Sequence, residues 1–330
     1  MQEGKNETPE QIERETNVRQ QRARESLERS LGTDFLTALG DPKTVEIGLN
    51  PDGWWWQERV GETMKRRGQL KPTLALSVLR TIAGFHGKII TRESPLLECE
   101  FPLDFSRFAG QIPPVVQNPV FCIRKKAIQI FTPADYVAAG IMTQHQVDVL
   151  LDAVANHRNI VVSGGTGSGK TTLLNTIILA MELANENERF VIIEDTAEIQ
   201  CDPSRHVQYR TTATVDMAAL LRVALRMRPD RIIMGESRGR EALDVLMAWN
   251  TGHEGGALTL HANSPIEALD RILMMVSMNQ NAPRAIEPLI GNAVHIIVQI
   301  VRLPNGGGRR VTEILQVDGY ENGKYITRKL

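Results

Sequence analysis

The segment VVSGGTGSGKTT, residues 161–172, constrains the fold of this chain more than any other stretch. An apolar run, "NIVVSG", ends in glycines, and a long helical pattern, "GKTTLLNTIILAMELA", begins within them. A strand that turns this sharply into a helix needs backbone conformations that glycine adopts without strain. The pattern G-x-x-x-x-G-K-T runs from Gly164 to Thr171, and strand before with helix after is the context that makes it a phosphate cradle. Inward-turned N–H groups and the positive helix end favour a β-phosphate there. Gly164, Gly165, Thr166, Gly167, Ser168 and Gly169 form the loop, and Thr172 continues the first helical turn. Lys170 reaches the β- and γ-oxygens as a point charge, and the Thr171 hydroxyl ligates Mg²⁺. Motif and context together favour this cradle over an ordinary glycine-rich turn. A nucleoside triphosphate is the expected ligand, with ATP and Mg²⁺ as cofactors.

The flanks extend the pattern. "RFVIIED", a helix near 215–227, and "RIIMGE" continue the alternation of strand and helix, which predicts a parallel, doubly wound α/β sheet. Two helix starts are explicit. Thr143 serves as N-cap with Gln146 three residues on, and Val147, Leu150, Leu151 and Val154 line one face; Ser264 is a second N-cap, with Pro265 and Glu267 behind it. The C-terminal residues suggest strands joined by glycine turns. Upstream, "DFLTAL" predicts a short helix, "VEIGLN" and "WWWQERVGE" a hairpin, and "LKPTLALSVLRTIAGFHG" a helix with Leu74, Val78, Leu79 and Ile82 inward. We divide the 330 residues into a charged flexible arm (1–30), a smaller N-terminal α/β domain (31–126), a linker (127–142) and the nucleotide domain (143–330).

Net charge is −1, so no global field recruits nucleic acid. Cys99, Cys122 and Cys201 are odd in number and widely spaced, which suits a reducing cytosol. No apolar run approaches the ~20 residues that span a bilayer. The polar N-terminus lacks the apolar core of a signal peptide. A cytoplasmic protein is expected, with a peripheral seat on a membrane still open.

In an open parallel sheet, ligands gather at the C-terminal strand edge. "FVIIEDTAEIQ" brings Glu194, Asp195 and Glu198 to that edge, and "RPDRIIMGESRG" brings Glu236. A carboxylate there orients the attacking water or holds a metal-bound one, which makes Glu236 a second Mg²⁺ candidate beside Thr171. A solvated strand end is the competing reading, most so for Asp195. "TGHEGGALTLHANS", residues 251–264, carries two histidines and no cysteine. That does not match usual metal spacings, so no metal cluster is expected. A parallel strand "ALTLHA" takes His261 to the same edge as a γ-phosphate sensor, against the alternative of a core histidine. His253 stays open between site and turn.

The order of these motifs resembles the type II and type IV secretion (traffic) ATPases, most closely the conjugation branch and its TrbB-type conjugal transfer ATPases. Residues 160–265 carry the resemblance specifically; "VEIGLNPDGWWW" and "SRFAGQIPPVVQNPVFCIRKK" carry it loosely. It implies a PAS-like N-terminal α/β domain joined to a RecA-like P-loop ATPase domain. It also implies a homo-hexameric ring, nucleotide held between the domains, and inner-membrane partners in a bacterial secretion or conjugation machine. Catalytic roles fall to Lys170, Glu194, Glu236 and His261. Arg210, in "VQYRTTATVD", is the expected arginine finger, and Arg107 and Arg124 are expected phosphate contacts. Arg226 and Arg228 match the family without separable roles. A surface charge is the alternative for each arginine.

The function expected is an ATP-hydrolysing motor for type IV secretion, conjugative transfer or a pilus. The competing function is a RecA-like nucleic-acid translocase or helicase, using "MKRRG" (64–68), "IRKK" (123–126) or Trp54–Trp56. Alternation along a half-buried strand explains the tryptophans better, and direct DNA contact stays open. A P-loop kinase leaves His261 and the N-terminal domain unexplained.

Overall fold

The alternation of short apolar runs with helices is realised in a computed structural model that describes residues 9–60, 62–125, 130–200, 206–212, 214–304 and 307–330. The chain forms two units, residues 1–128 and 129–330. Among the described residues no helix is long and apolar enough to cross a membrane. Cys201, Lys126 and the first linker residues, 127–129, lie outside the described residues.

The first unit is built on a six-stranded antiparallel sheet. Its strands are β1 (Thr44–Leu49), β2 (Trp54–Arg59), β3 (Lys65–Gln69), β4 (Leu96–Glu100), β5 (Arg107–Gln111) and β6 (Val120–Arg124), in the order β3-β2-β1-β6-β5-β4. Helices α1 (Pro9–Leu31), α2 (Thr33–Gly40) and α3 (Pro72–Phe85) pack on the sheet's apolar residues. The expected flexible arm is therefore a helix along its described length. Leu27 and Leu31 are buried in this core, because two apolar residues suffice to dock its last turns while charge fills the other faces. In α3 the buried stripe is Ala75, Val78, Leu79 and Ile82, whereas Leu74 is exposed. Trp55 is buried, and Trp54 is covered by the Arg66 guanidinium, 3.6 Å from its ring centre, as strand alternation with a cation–π contact requires.

The second unit opens earlier than the sequence suggested. Part of the expected linker is helix α4 (Pro133–Ala138), capped by Thr132, with Tyr136 and Met142 in the core. Helix α5 (Gln144–Ala155) starts at Thr143 with the reciprocal Gln146 bond in place. The strands follow as β7 (Ile160–Ser163), β8 (Phe190–Glu194), β9 (His206–Arg210), β10 (Arg231–Met234), β11 (Ala257–Leu260), β12 (Ile296–Arg302), β13 (Arg309–Glu321) and β14 (Lys324–Lys329). Between them lie helices α6 (Lys170–Ala184), α7 (Met217–Ala224), α8 (Glu241–Trp249), α9 (Pro265–Ser277) and α10 (Ile286–Ala293). The sheet order is β14-β13-β12-β7-β11-β10-β8-β9. The six strands from β12 to β9 are parallel, and β13 and β14 extend them antiparallel. Four-residue strands buried at every position are what a sheet covered on both faces demands. The helices cover two apolar faces. One core gathers α7, α8, α9 and α10; the other gathers α4, α5 and α6.

Candidate active site

β7 delivers the chain to the glycine loop at the C-terminal sheet edge. Gly167 (φ 68°) and Gly169 (φ 97°) are in the left-handed region, so both turns of the loop need glycine. Gly164 is required for a different reason. A Cβ there would stand 2.2 Å from the Ile300 carbonyl oxygen and 2.6 Å from Ser168 Oγ. Lys170 is only 8% exposed, and its ammonium donates to the Gly165 carbonyl at 3.0 Å. It also stands 3.4 Å from both ring nitrogens of His261. Thr171 Oγ1 donates to Glu198 Oε2 at 3.3 Å, while the Thr172 carbonyl stays within α6 and accepts from Thr176. Gly165 and Thr166 are exposed.

His261 follows directly on β11, between β7 and β10 in the sheet. Its Nε2 lies 2.9 Å from Glu236 Oε1, and Arg238 Nη2 donates to Glu236 Oε2 at 2.7 Å. Lys170, His261, Glu236 and Arg238 therefore form one continuous chain of polar contacts along the rim. Burial alone would raise the Glu236 carboxyl, but Arg238, His261 and Lys170 outweigh it and hold the group below the ordinary glutamate range. Glu236 thus stays anionic.

Glu194 is different. It is 2% exposed; Oε1 accepts the Glu198 and Ile199 N–H groups at 2.9 and 2.7 Å, and Oε2 accepts from Gln208 at 2.6 Å. Burial dominates and raises its carboxyl above the ordinary range, against those three donors. Its two backbone bonds fix the turn that presents Glu198 to Thr171, and the Gln208 bond ties it to β9. Asp195 accepts from Thr211 and faces Arg238 at 3.8 Å.

The other candidates lie elsewhere. Arg210 ends the edge strand β9, paired in register with Glu194. Four strand steps separate β9 from β7, roughly 19 Å at ordinary spacing. Arg107 and Arg124 belong to the first unit, where they are direct partners across β5 and β6. His253 sits before β11, at the opposite edge from His261. The glycines around it serve packing. A Cβ on Gly256 would come 2.2 Å from Trp249 Nε1, and Gly255 (φ 85°) lies against Arg231 and His157. Asn159 Oδ1 ties this turn down by accepting both glycine N–H groups.

Several contributing residues escaped the sequence reading. Thr259 donates to the Gly235 carbonyl at 2.7 Å and its own carbonyl accepts from Ser237, so it brackets Glu236. Gln299 accepts from the Ser163 hydroxyl and donates to the Ala262 carbonyl at 3.2 Å. Arg302 and Arg309 flank the glycine loop. A lone polar residue inside an apolar strand, such as Gln299 in "IIVQIV", was the available signal.

The donor set fits a Mg²⁺-nucleotide. The glycine cradle excludes side chains, the 2%-exposed Ser168 hydroxyl has no hydrogen-bond partner among the described residues, and Thr171 meets a carboxylate.

The pattern defining the type II/IV secretion system protein family matches residues 109–321. Conjugal transfer protein TrbB of Rhizobium radiobacter is 43% identical over 301 residues, 91% of this chain and 92% of the relative. The type IV secretion system protein PtlH homolog of Bordetella bronchiseptica is 33% identical over 83% of this chain and 91% of its own. In structure, the Legionella pneumophila ATPase DotB matches with a TM-score of 0.59 at 18% identity, covering 87% of this chain and 80% of that one, a likeness of fold. The architecture of an N-terminal α/β unit followed by a RecA-like unit is shared with this solved structure. With the defining pattern spread over more than half the chain, and close identity along nearly its whole length, the chain belongs to the type II/IV secretion system protein family.

Proposed function

We propose that this protein is a Mg²⁺-dependent ATPase that powers conjugative transfer or type IV secretion. It works as a homo-hexamer in the cytoplasm, against inner-membrane components of the apparatus. The observation that carries the reading is the contact chain from Lys170 through His261 to Glu236 on one sheet rim.

The residues divide the work. Backbone N–H groups of 165–171 and the α6 terminus bind the β-phosphate, and Lys170 spans to the terminal one. Thr171, with Glu198 behind it, would hold Mg²⁺, whose charge neutralises the phosphate oxygens. Glu236, kept anionic, orients the attacking water and accepts its proton. His261 bridges Glu236 and Lys170, so gain or loss of a terminal phosphate re-partners all three. Glu194 is a positioning residue, since its oxygens are committed to the Glu198 turn and to Gln208. Arg210 acts on a neighbouring subunit's phosphate.

The test is phosphate release by the purified full chain, together with transfer frequency from donor cells that lack their own copy. K170A abolishes both if the reading holds. A K170A chain with wild-type turnover ends it. A rate that requires DNA and collapses steeply with salt transfers the motor to the translocase class.

A further inference from the structure

Glu236 stands in the short connection between β10 and α8, and the backbone is tied down on both sides of it. Before it, the Gly235 carbonyl accepts from Thr259 Oγ1 at 2.7 Å. After it, the Ser237 N–H donates to the Thr259 carbonyl at 2.9 Å. Glu241, the first residue of α8, gathers the rest of the turn. Its Oε1 accepts the N–H groups of Arg238 and Gly239 at 2.7 and 2.8 Å and the Ser237 hydroxyl at 3.3 Å. Glu236 and Arg238 thus leave a backbone that holds them in a fixed relation.

The Glu236 carboxylate is then held at each oxygen, by different means. Oε1 faces His261 Nε2 at 2.9 Å, and the same imidazole stands 3.4 Å from the Lys170 ammonium. A terminal phosphate that draws on Lys170 and His261 takes His261 away from Oε1. Oε2 accepts from Arg238 Nη2 at 2.7 Å, and Arg238 is anchored the other way. Its Nη1 faces Asp195 Oδ2 at 3.8 Å, and Asp195 accepts from the Thr211 hydroxyl at 2.9 Å. Asp195 and Thr211 follow β8 and β9, on the side of β10 away from the glycine loop. One oxygen is therefore tied to the phosphate side and the other to the opposite side. A carboxylate that orients a water needs that asymmetry. One oxygen has to open, while the other keeps the group from turning out of line.

Resting on the ATPase reading above, we propose that Arg238 is a positioning residue for hydrolysis, holding Glu236 by Oε2 while Oε1 passes from His261 to the attacking water. It acts through Glu236 alone, so it contributes to kcat and leaves nucleotide affinity unchanged.

Full-length R238A, E236Q and R238A/E236Q, compared with wild type for ATP turnover and for ADP binding by calorimetry, test this. In R238A kcat falls about tenfold to hundredfold, the effect of losing a charged hydrogen bond that aligns a reacting group. KM for ATP and ADP affinity stay near wild type. A glutamine at 236 accepts no proton, so its alignment no longer matters, and R238A/E236Q turns over as E236Q does. Arg238 is half exposed, so its removal leaves the core intact. A merely structural role multiplies instead: R238A then lowers the E236Q rate by the factor it takes from wild type. That outcome, wild-type kcat in R238A, or a loss confined to KM overturns the proposal. Wild-type protein that neither binds ADP nor releases phosphate from ATP overturns the ATPase reading itself.

Discussion

Two glutamates on one sheet rim have opposite proton preferences, and the cause is what each touches. Glu236 meets Arg238, His261 and Lys170, which together outweigh its burial. E236Q removes the charge and leaves the shape, so kcat should fall by about a hundredfold to ten-thousandfold while ADP affinity stays close to wild type. Steady-state turnover and calorimetry on the same sample check this. Glu194 is buried, and burial, helped by the nearby Glu198 charge, wins over its amide donors. Between the ordinary glutamate value and its own raised value, the folded chain therefore binds more protons than the unfolded chain. Stability falls as pH rises through that window. E194Q should flatten this slope, read as the difference in denaturant midpoint between variant and wild type across mildly acidic pH. An unchanged slope assigns the effect to other groups.

At the scale of elements, His261 is aimed by strands it does not belong to. Gln299 on β12 joins Ser163, at the root of the glycine loop, to the Ala262 carbonyl beside His261. Q299A releases both ends, whereas S163A releases only the loop end. Q299A should lower kcat about tenfold, the value of one or two buried hydrogen bonds, with S163A well below it. Equal effects in the two variants would locate the relay's role in the loop. The same contrast explains what the sequence made legible. Helix starts at Thr143 and Ser264 are local, written within four residues, and appear in the structure with their side-chain bonds. Strand, glycine loop and helix around Lys170 are likewise contiguous. Gln299, Thr259, Arg302 and Arg309 act across the sheet, and no spacing along the chain encodes which strand lies beside which. "GGGRR" is indistinguishable from a solvated turn until β13 is paired to β12. In α3, a period of four placed Leu74 inside, but the true stripe leans to Ala75, whose small side chain gives little hydrophobic signal.

At the scale of the whole molecule, each unit carries its own core, and the candidate parts of the engine are divided between them. Lys170, Glu236 and His261 share one rim, while Arg107 and Arg124 pair within the first unit. Arg210 stands apart again, on the edge strand β9. An edge position suits contact with a second copy, since a residue at the end of the outermost strand faces outward from its own fold. If Arg210 completes a neighbour's site, K170A and R210A are inactive for different reasons: one lacks a phosphate loop, the other lacks what it lends. Mixed in equal amounts, they form interfaces at which an R210A chain supplies Lys170 and a K170A chain supplies Arg210. Random assembly into a closed ring makes about a quarter of interfaces competent. Turnover should then reappear from two inactive preparations, rise with total protein concentration, and reach up to that fraction of wild type. An arginine serving its own chain restores nothing on mixing, because every subunit then remains defective at every concentration.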